Sequence, residues 1–396
     1  MKYISKTVGV LSLVSLFTDI ASEMLYPILP IYLKSIGYSI LFIGILEGIT
    51  EVVAGYGKGY FGQLSDDTGK RVPFVRLGYA LSAIAKPLLS IGQVPFVVLF
   101  SRILDRIGKG VRTGARDAIL SSEATNKTKA RVFGFHRSMD TLGAVLGPSF
   151  ALVYLYFYPK DYIFLFYLAF LPGIIAIGFT FFLKEKLAQS KQTSLNNQKS
   201  NKFISLINYW KTASPNYKKL VVGLLVFAFW NSSDVFLILR SKEAGLNDYQ
   251  VIGIYIFYNL VYAVFSYPLG VFADKIGLKK MLLCGLGIYA GVYFLMGLVQ
   301  NPVLILLAFF LYGVYAAATE GISKAWISNV TPSNETATAI GLYAGMQSIS
   351  AFFASLVAGW LWFLFGAPVT FIVTGVVAVF VILYFLKVKI TEETEV

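Results

Sequence analysis

Apolar stretches of about 20 residues recur along the whole of this 396-residue chain, and an α-helix of about that length crosses the hydrocarbon core of a bilayer. Such a chain has few alternatives, because in lipid each backbone amide must find its partner within its own segment. Composition agrees: 57% of residues are hydrophobic and only 14% charged, where soluble domains carry about 25% charge. Apolar runs set against charged or Pro/Gly punctuation predict helices near 8–33, 39–62, 73–91, 94–114, 131–157, 161–183, 219–240, 248–271, 279–299, 302–325, 336–362 and 367–387. The expectation is an all-α membrane protein of twelve transmembrane helices.

The formal charge is +13, which suggests nucleic acid only where basic residues share one soluble face. Here they gather in alternate loops. One set holds Lys2, Lys70, Arg71, Lys127, Lys129, Arg131, Lys184, Lys218, Lys219, Lys279, Lys280 and Lys387, while the opposite loops hold little beyond Lys34, Lys160, Arg240 and Lys242. The positive-inside bias then puts both termini in the cytoplasm of a cell whose inner (plasma) membrane the chain spans, with lipid and no nucleic acid as partner. Cys284 is the single cysteine, so no disulfide or cysteine metal cluster is expected. The apolar run after Lys6 continues past Asp19 without a small-residue cleavage site, so it reads as a retained first helix.

The one long polar connection divides the chain into residues 1–183, a cytoplasmic linker at 184–218, and residues 219–396. The halves repeat each other. Gly62, Asp66, Gly69, Lys70 and Arg71 follow the second helix, and Gly270, Asp274, Gly277, Lys279 and Lys280 follow the eighth in the same spacing. A weaker echo links Phe133-Gly134 with Ile340-Gly341. Parallel duplication about a membrane-normal axis is a transporter architecture.

These doubled G-x-x-x-D-x-x-G-x-K-[RK] loops, the arginines at 102 and 106 and the Gly143 to Pro148 run resemble the major facilitator superfamily over nearly the whole chain. The first loop departs from the pattern at Asp67, where a basic residue is usual. The resemblance implies two pseudo-symmetric six-helix bundles, working as a monomer and exposing a central cavity to either side in turn. It implies a conformational switch at Gly62, Asp66, Gly69, Arg71, Gly270, Asp274 and Gly277. The end of the first helix, Tyr26-Pro27-Ile28-Leu29-Pro30, is also similar to drug/proton antiporters of that superfamily, although the glycine expected near Ala151 is absent.

Ionisable side chains inside spans cost about 2.5–3.5 kcal/mol each on insertion scales. This chain carries Asp19 and Glu23 in helix 1, Glu47 and Glu51 in helix 2, Arg102, Asp105, Arg106 and Lys109 in helix 4, and His136, Arg137 and Asp140 in helix 5. Spacings of three and four place Asp19 with Glu23, Glu47 with Glu51, and Arg102 with Arg106 on common faces. Three readings compete: structural ion pairs, proton coupling through Asp19, Glu23 and Asp140, and recognition of a small-molecule substrate through Glu47, Glu51, Arg102, Asp105 and Arg106. His136, near the end of its helix, reads as structural.

The second half is sparser, with Asn231, Asp234 and Glu320 as polar candidates for substrate contact among many aromatics. Gly143 with Gly147, and Gly341 with Gly345, have the small-residue spacing that lets helices approach closely. No HExxH, GxSxG or phosphate-binding GxxxxGK[ST] is present, so an enzyme is not expected, and neither is a cofactor or a bound metal. What remains is a secondary carrier, coupled to H+ by default, exporting an amphipathic compound or importing a polar, anionic one such as an organic acid, a sugar derivative or a carboxylate siderophore.

Overall fold

A computed structural model describes residues 4–26, 28–38, 40–91, 94–185 and 209–390; most of the expected linker, and Pro27, lie outside these. Among the described residues there are helices and no strands. In order they are α1 Lys6–Glu23, α2 Ile28–Ser35, α3 Ile40–Thr68, α4 Val72–Ile91, α5 Pro95–Ser122, α6 Lys129–Phe157 and α7 Tyr162–Thr180. After the linker come α8 Pro215–Trp230, α9 Val235–Glu243, α10 Asp248–Ile276, α11 Leu278–Leu298, α12 Pro302–Asn329 and α13 Thr336–Lys387.

Twelve spans emerge from this list. The pair α1–α2 forms one span broken before Ile28, and α8–α9 forms one broken between Trp230 and Val235. The 52-residue α13 supplies two, since Gly366 takes φ 80°, ψ 172° in its interior and bends the backbone out of the helix there. Among the described residues, eight helical segments are long and apolar enough to span by length and composition alone. The spans of α1–α2 and α5 are not among them, and both carry several charged residues.

Two compact units result. The first gathers residues 1–123, 139–212 and 332–345; the second gathers 124–138, 213–331 and 346–396. Helix α6 thus begins in the second unit and ends in the first, and α13 does the reverse.

Within the first unit, α5 packs between α3 and α4. Glycine makes that possible: a Cβ on Gly110 would lie 2.9 Å from the Gly57 Cα, and one on Gly108 would lie 2.5 Å from the Gly78 carbonyl oxygen. Small residues let backbones approach where lipid offers no hydrophobic drive for association. The apolar core here holds Leu16, Ile20, Leu29, Tyr32, Leu89, Val98 and Phe166. In the second unit α12 packs on α10 and α11, around a core unusually rich in tyrosine: Tyr258, Tyr262, Tyr289, Tyr293, Tyr312 and Tyr315.

Candidate functional site

Charged residues of α1, α4 and α5 converge on one cavity. It encloses about 620 Å³ of non-atom space, part of it open solvent, and all its walls belong to the first unit. Helix α1 and the turn after it contribute Asp19, Ser22, Glu23, Leu25, Tyr26 and Leu29; α4 contributes Ala85, Lys86 and Leu89; α5 contributes Ser101, Arg102, Asp105, Arg106, Lys109 and Arg112. The α5 residues fall at helical spacing of three and four, so one face of that helix is a ladder of charge.

Several of these groups are already fixed. Lys86 Nζ lies 3.7 Å from Asp105 Oδ1, with the two side chains 5% and 18% exposed, and also donates to the Ser82 carbonyl at 2.9 Å. Arg106 pairs with Glu51 at 3.5 Å. Arg112 donates to Ser82 Oγ at 2.5 Å and lays its guanidinium 4.5 Å from the centre of the Tyr79 ring, a cation–π contact that holds the charge without neutralising it. Asp140 accepts a hydrogen bond from Ser15 at 2.5 Å, and its carboxyl is in hydrogen-bonding contact with that of Asp19. Helix α6 comes this close to α1 because Gly143 has no side chain; a Cβ there would lie 2.8 Å from the Asp19 Cβ.

Of the residues expected from the sequence, Asp19, Glu23, Arg102, Asp105 and Arg106 line this cavity, and Glu51 and Asp140 adjoin it through partners just named. The side chain of Glu47 lies outside the described residues. Lys86 and Arg112 were missed. Lys86 had a signal, since it interrupts the apolar run of α4, and the rule applied to Arg102 finds it too.

The second unit holds Asn231, Asp234 and Glu320 in two places. Both oxygens of Asp234 accept from tyrosine, Oδ2 from Tyr258 at 3.0 Å and Oδ1 from Tyr312 at 2.7 Å, while Asn231 donates to Tyr315 at 3.2 Å. Glu320 instead pairs with Arg137 at 2.5 Å. Arg137 also donates to the Tyr262 hydroxyl and covers its ring at 5.1 Å. His136, its neighbour, is 4% exposed.

The duplicated loops do one job twice. Asp66 accepts from the Thr338 amide at 2.7 Å and hydroxyl at 2.8 Å and lies 3.5 Å from Arg71, which reaches on to the Ala118 and Ser333 carbonyls. Asp274 accepts from the amides of Ala130 and Arg131 at 3.1 and 3.2 Å and from Arg131 Nε at 2.7 Å. Each carboxylate thus caps the start of a helix distant in sequence, α13 for Asp66 and α6 for Asp274. Gly62 and Gly270 are the contact points: a Cβ on either would lie 2.5 Å from a carbonyl oxygen, of Ala337 and of Ala130 respectively. Gly69 and Gly277 turn the chain at φ 64° and 97°, a region that suits glycine.

Known proteins share this architecture. The sequence profile of the Major Facilitator Superfamily matches residues 11–260 and again 220–395. An uncharacterized MFS-type transporter of Methanocaldococcus jannaschii is 33% identical over 391 residues, 96% of this chain and 95% of that protein. The quinolone resistance protein NorA of Staphylococcus aureus is 23% identical over 126 residues, 32% of each chain. The crystal structure of the Escherichia coli fucose:proton symporter FucP aligns with a TM-score of 0.78 at 12% identity, covering 97% of this chain and 98% of that one. Helix order, duplicated loops and full-length matches lead to one placement: this chain belongs to the major facilitator superfamily and is a membrane transporter, not an enzyme.

Proposed function

We propose that this protein is a proton-coupled secondary carrier of a small anionic solute. The cavity of the first unit carries the reading: Lys86, Arg102, Arg106, Lys109 and Arg112 line it together with Asp19, Glu23 and Asp105, an excess of positive charge. Arg102 and Arg106, one turn apart, offer forked donors that match a carboxylate or phosphate. Glu51 holds Arg106 and Asp105 holds Lys86, and Leu25, Leu29 and Leu89 suit a short apolar part of the solute.

Coupling falls to Asp19 and Asp140. Two carboxyl groups in hydrogen-bonding contact hold one proton between them, because one of the two must donate; Glu23, one turn from Asp19, is the exchange partner in the cavity. A proton and an anion bound together neutralise each other, which favours uptake along an inward proton gradient. FucP is described as a proton symporter, in keeping with this direction. The moving parts are the halves 1–183 and 219–396, with the contacts at Asp66 and Asp274 as the catches that one conformation closes and the other opens.

A second reading has its own support. The match to NorA and the Tyr26 to Pro30 pattern suit export of an amphipathic compound.

Proteoliposomes of the purified protein, with internal pH recorded while organic acids, phosphorylated sugars, siderophores and lipophilic cations are added in turn, separate the two. Acidification evoked by an anionic compound, lost in Asp19→Asn and Arg102→Ala, supports the first reading. Alkalinisation as an added lipophilic cation enters in exchange for lumenal H+, with no response to anions, replaces it with the second.

A further inference from the structure

Midway along the span from Pro215 to Glu243 the helix stops at Trp230 and restarts at Val235. Broken spans of this kind present carbonyls from the C-terminal end of a half-helix at membrane depth, where transporters hold their coupling ions. Asp234 stands in the break. Its side chain makes no cap bond to α9, and both oxygens turn instead to the Tyr258 and Tyr312 hydroxyls. Among the described residues no lysine or arginine pairs with it, and the charged group acting on it is another carboxylate, Glu320.

The surroundings supply oxygen in excess. The hydroxyls of Tyr289 and Tyr293, residues 0% and 1% exposed, bond to each other, and that of Tyr293 also to Ser232, while Asn231 Oδ1 is buried without a hydrogen-bond partner. They belong to one cluster: the Tyr289 ring lies 4.1 Å from Tyr293 and 4.7 Å from Tyr315, and Tyr315 binds Asn231 in the break. Buried polar atoms in native structures nearly always have partners, and Asn231 Oδ1, orphaned beside so many oxygens, calls for one.

We propose that this cluster is a site for a monovalent metal cation, Na+, held by Asp234, by Asn231 Oδ1 and by the carbonyls freed at the end of α8, with tyrosine hydroxyl oxygens completing the shell. A single carboxylate balances a single positive charge. An all-oxygen donor set suits a hard cation rather than a transition metal, and among the described residues no group of three or more His, Cys, Asp or Glu is placed to hold one. A proton alone satisfies the carboxylate but leaves the asparagine oxygen as it is. The site lies wholly within the second unit and stands apart from the anion cavity of the first, so it holds whichever solute that cavity takes.

The full-length protein in detergent tests it, titrated with NaCl against choline chloride at constant ionic strength and constant pH. Trp230, the last residue of α8, reports the site by its fluorescence, and the thermal midpoint reports binding to the folded state. The expected result is a saturable change in both with Na+ and none with choline. Asp234→Asn should weaken the apparent Na+ affinity by about 10–100-fold, the range typical of changes around a bound metal, while Asp19→Asn leaves it unchanged. If Asp234→Asn does not fold, Asn231→Ala must show a weakened Na+ response in its place. No Na+-specific response in the wild-type protein, or a response to pH alone, overturns the proposal; so does a Na+ response retained in the variant that folds.

Discussion

A single oxygen of Asp66 accepts from both the amide and the hydroxyl of Thr338, 272 residues further along the chain. The carboxylate completes the first turn of α13, where backbone amides have no intrahelical partner. Asp274 completes the first turn of α6 in the same way.

Asp66→Ala is expected to lower stability by about 0.5–2 kcal/mol, the usual cost of a lost N-cap, and to lower transport as well. The pair is coupled, so Asp66→Ala combined with Thr338→Val should destabilise by less than the two single changes summed. Thermal or denaturant unfolding of the four proteins measures this. Additivity within about 0.3–0.5 kcal/mol, as found for independent sites, would show that the contact carries no energy of its own.

The Lys86–Asp105 pair is buried, so its halves depend on each other. Lys86→Met alone leaves an uncompensated carboxylate and should cost about 3–5 kcal/mol, whereas Lys86→Met with Asp105→Leu should recover most of that loss. The melting temperatures of the single and double variants decide it. A double variant as unstable as the single would mean that the charges serve through other neighbours.

Gly147 sits on α1: a Cβ there would lie 2.7 Å from the Ile20 carbonyl oxygen and 2.8 Å from the Met24 amide. Gly147→Leu should therefore push α6 away from α1 and remove transport while membrane insertion persists. Uptake by vesicles containing equal amounts of inserted protein gives the answer, and a wild-type rate would contradict this account of the close contact.

Arg240 is 2% exposed and donates to the Met296 carbonyl at 2.9 Å, to Glu243 at 3.0 Å and to the Val299 carbonyl at 3.3 Å. It ties α9 to the C-terminal end of α11. Lysine keeps the charge but not the fork, so Arg240→Lys should lower stability by about 1.5–3 kcal/mol, the scale of one charge-assisted hydrogen bond. An unchanged unfolding midpoint would show that the lysine amine reaches the same carbonyls.

The number of spans was legible because it follows from a local quantity, the length of an apolar run, and the repeat was legible because Asp66 and Asp274 keep their spacing to flanking glycines. The charge ladder of α5 was legible for a related reason: at helical spacing, Arg102, Asp105, Arg106 and Lys109 share a face whatever they pack against. Partners were another matter. Nothing local says that Asp105 meets Lys86 rather than Asp19, or that Glu320 meets Arg137 and leaves Asp234 to tyrosines.

The sequence by itself determined that this chain spans a membrane in two related halves with charge concentrated in the first, since hydropathy and periodicity are written residue by residue. Only the tertiary structure decided which charges share the cavity, where the eighth helix ends in mid-span, and which distant helix each duplicated carboxylate caps. Those outcomes depend on how closely glycine-lined helices such as α5 and α6 approach their neighbours, and helix approach is a property of several segments packed together, which no single stretch of sequence encodes.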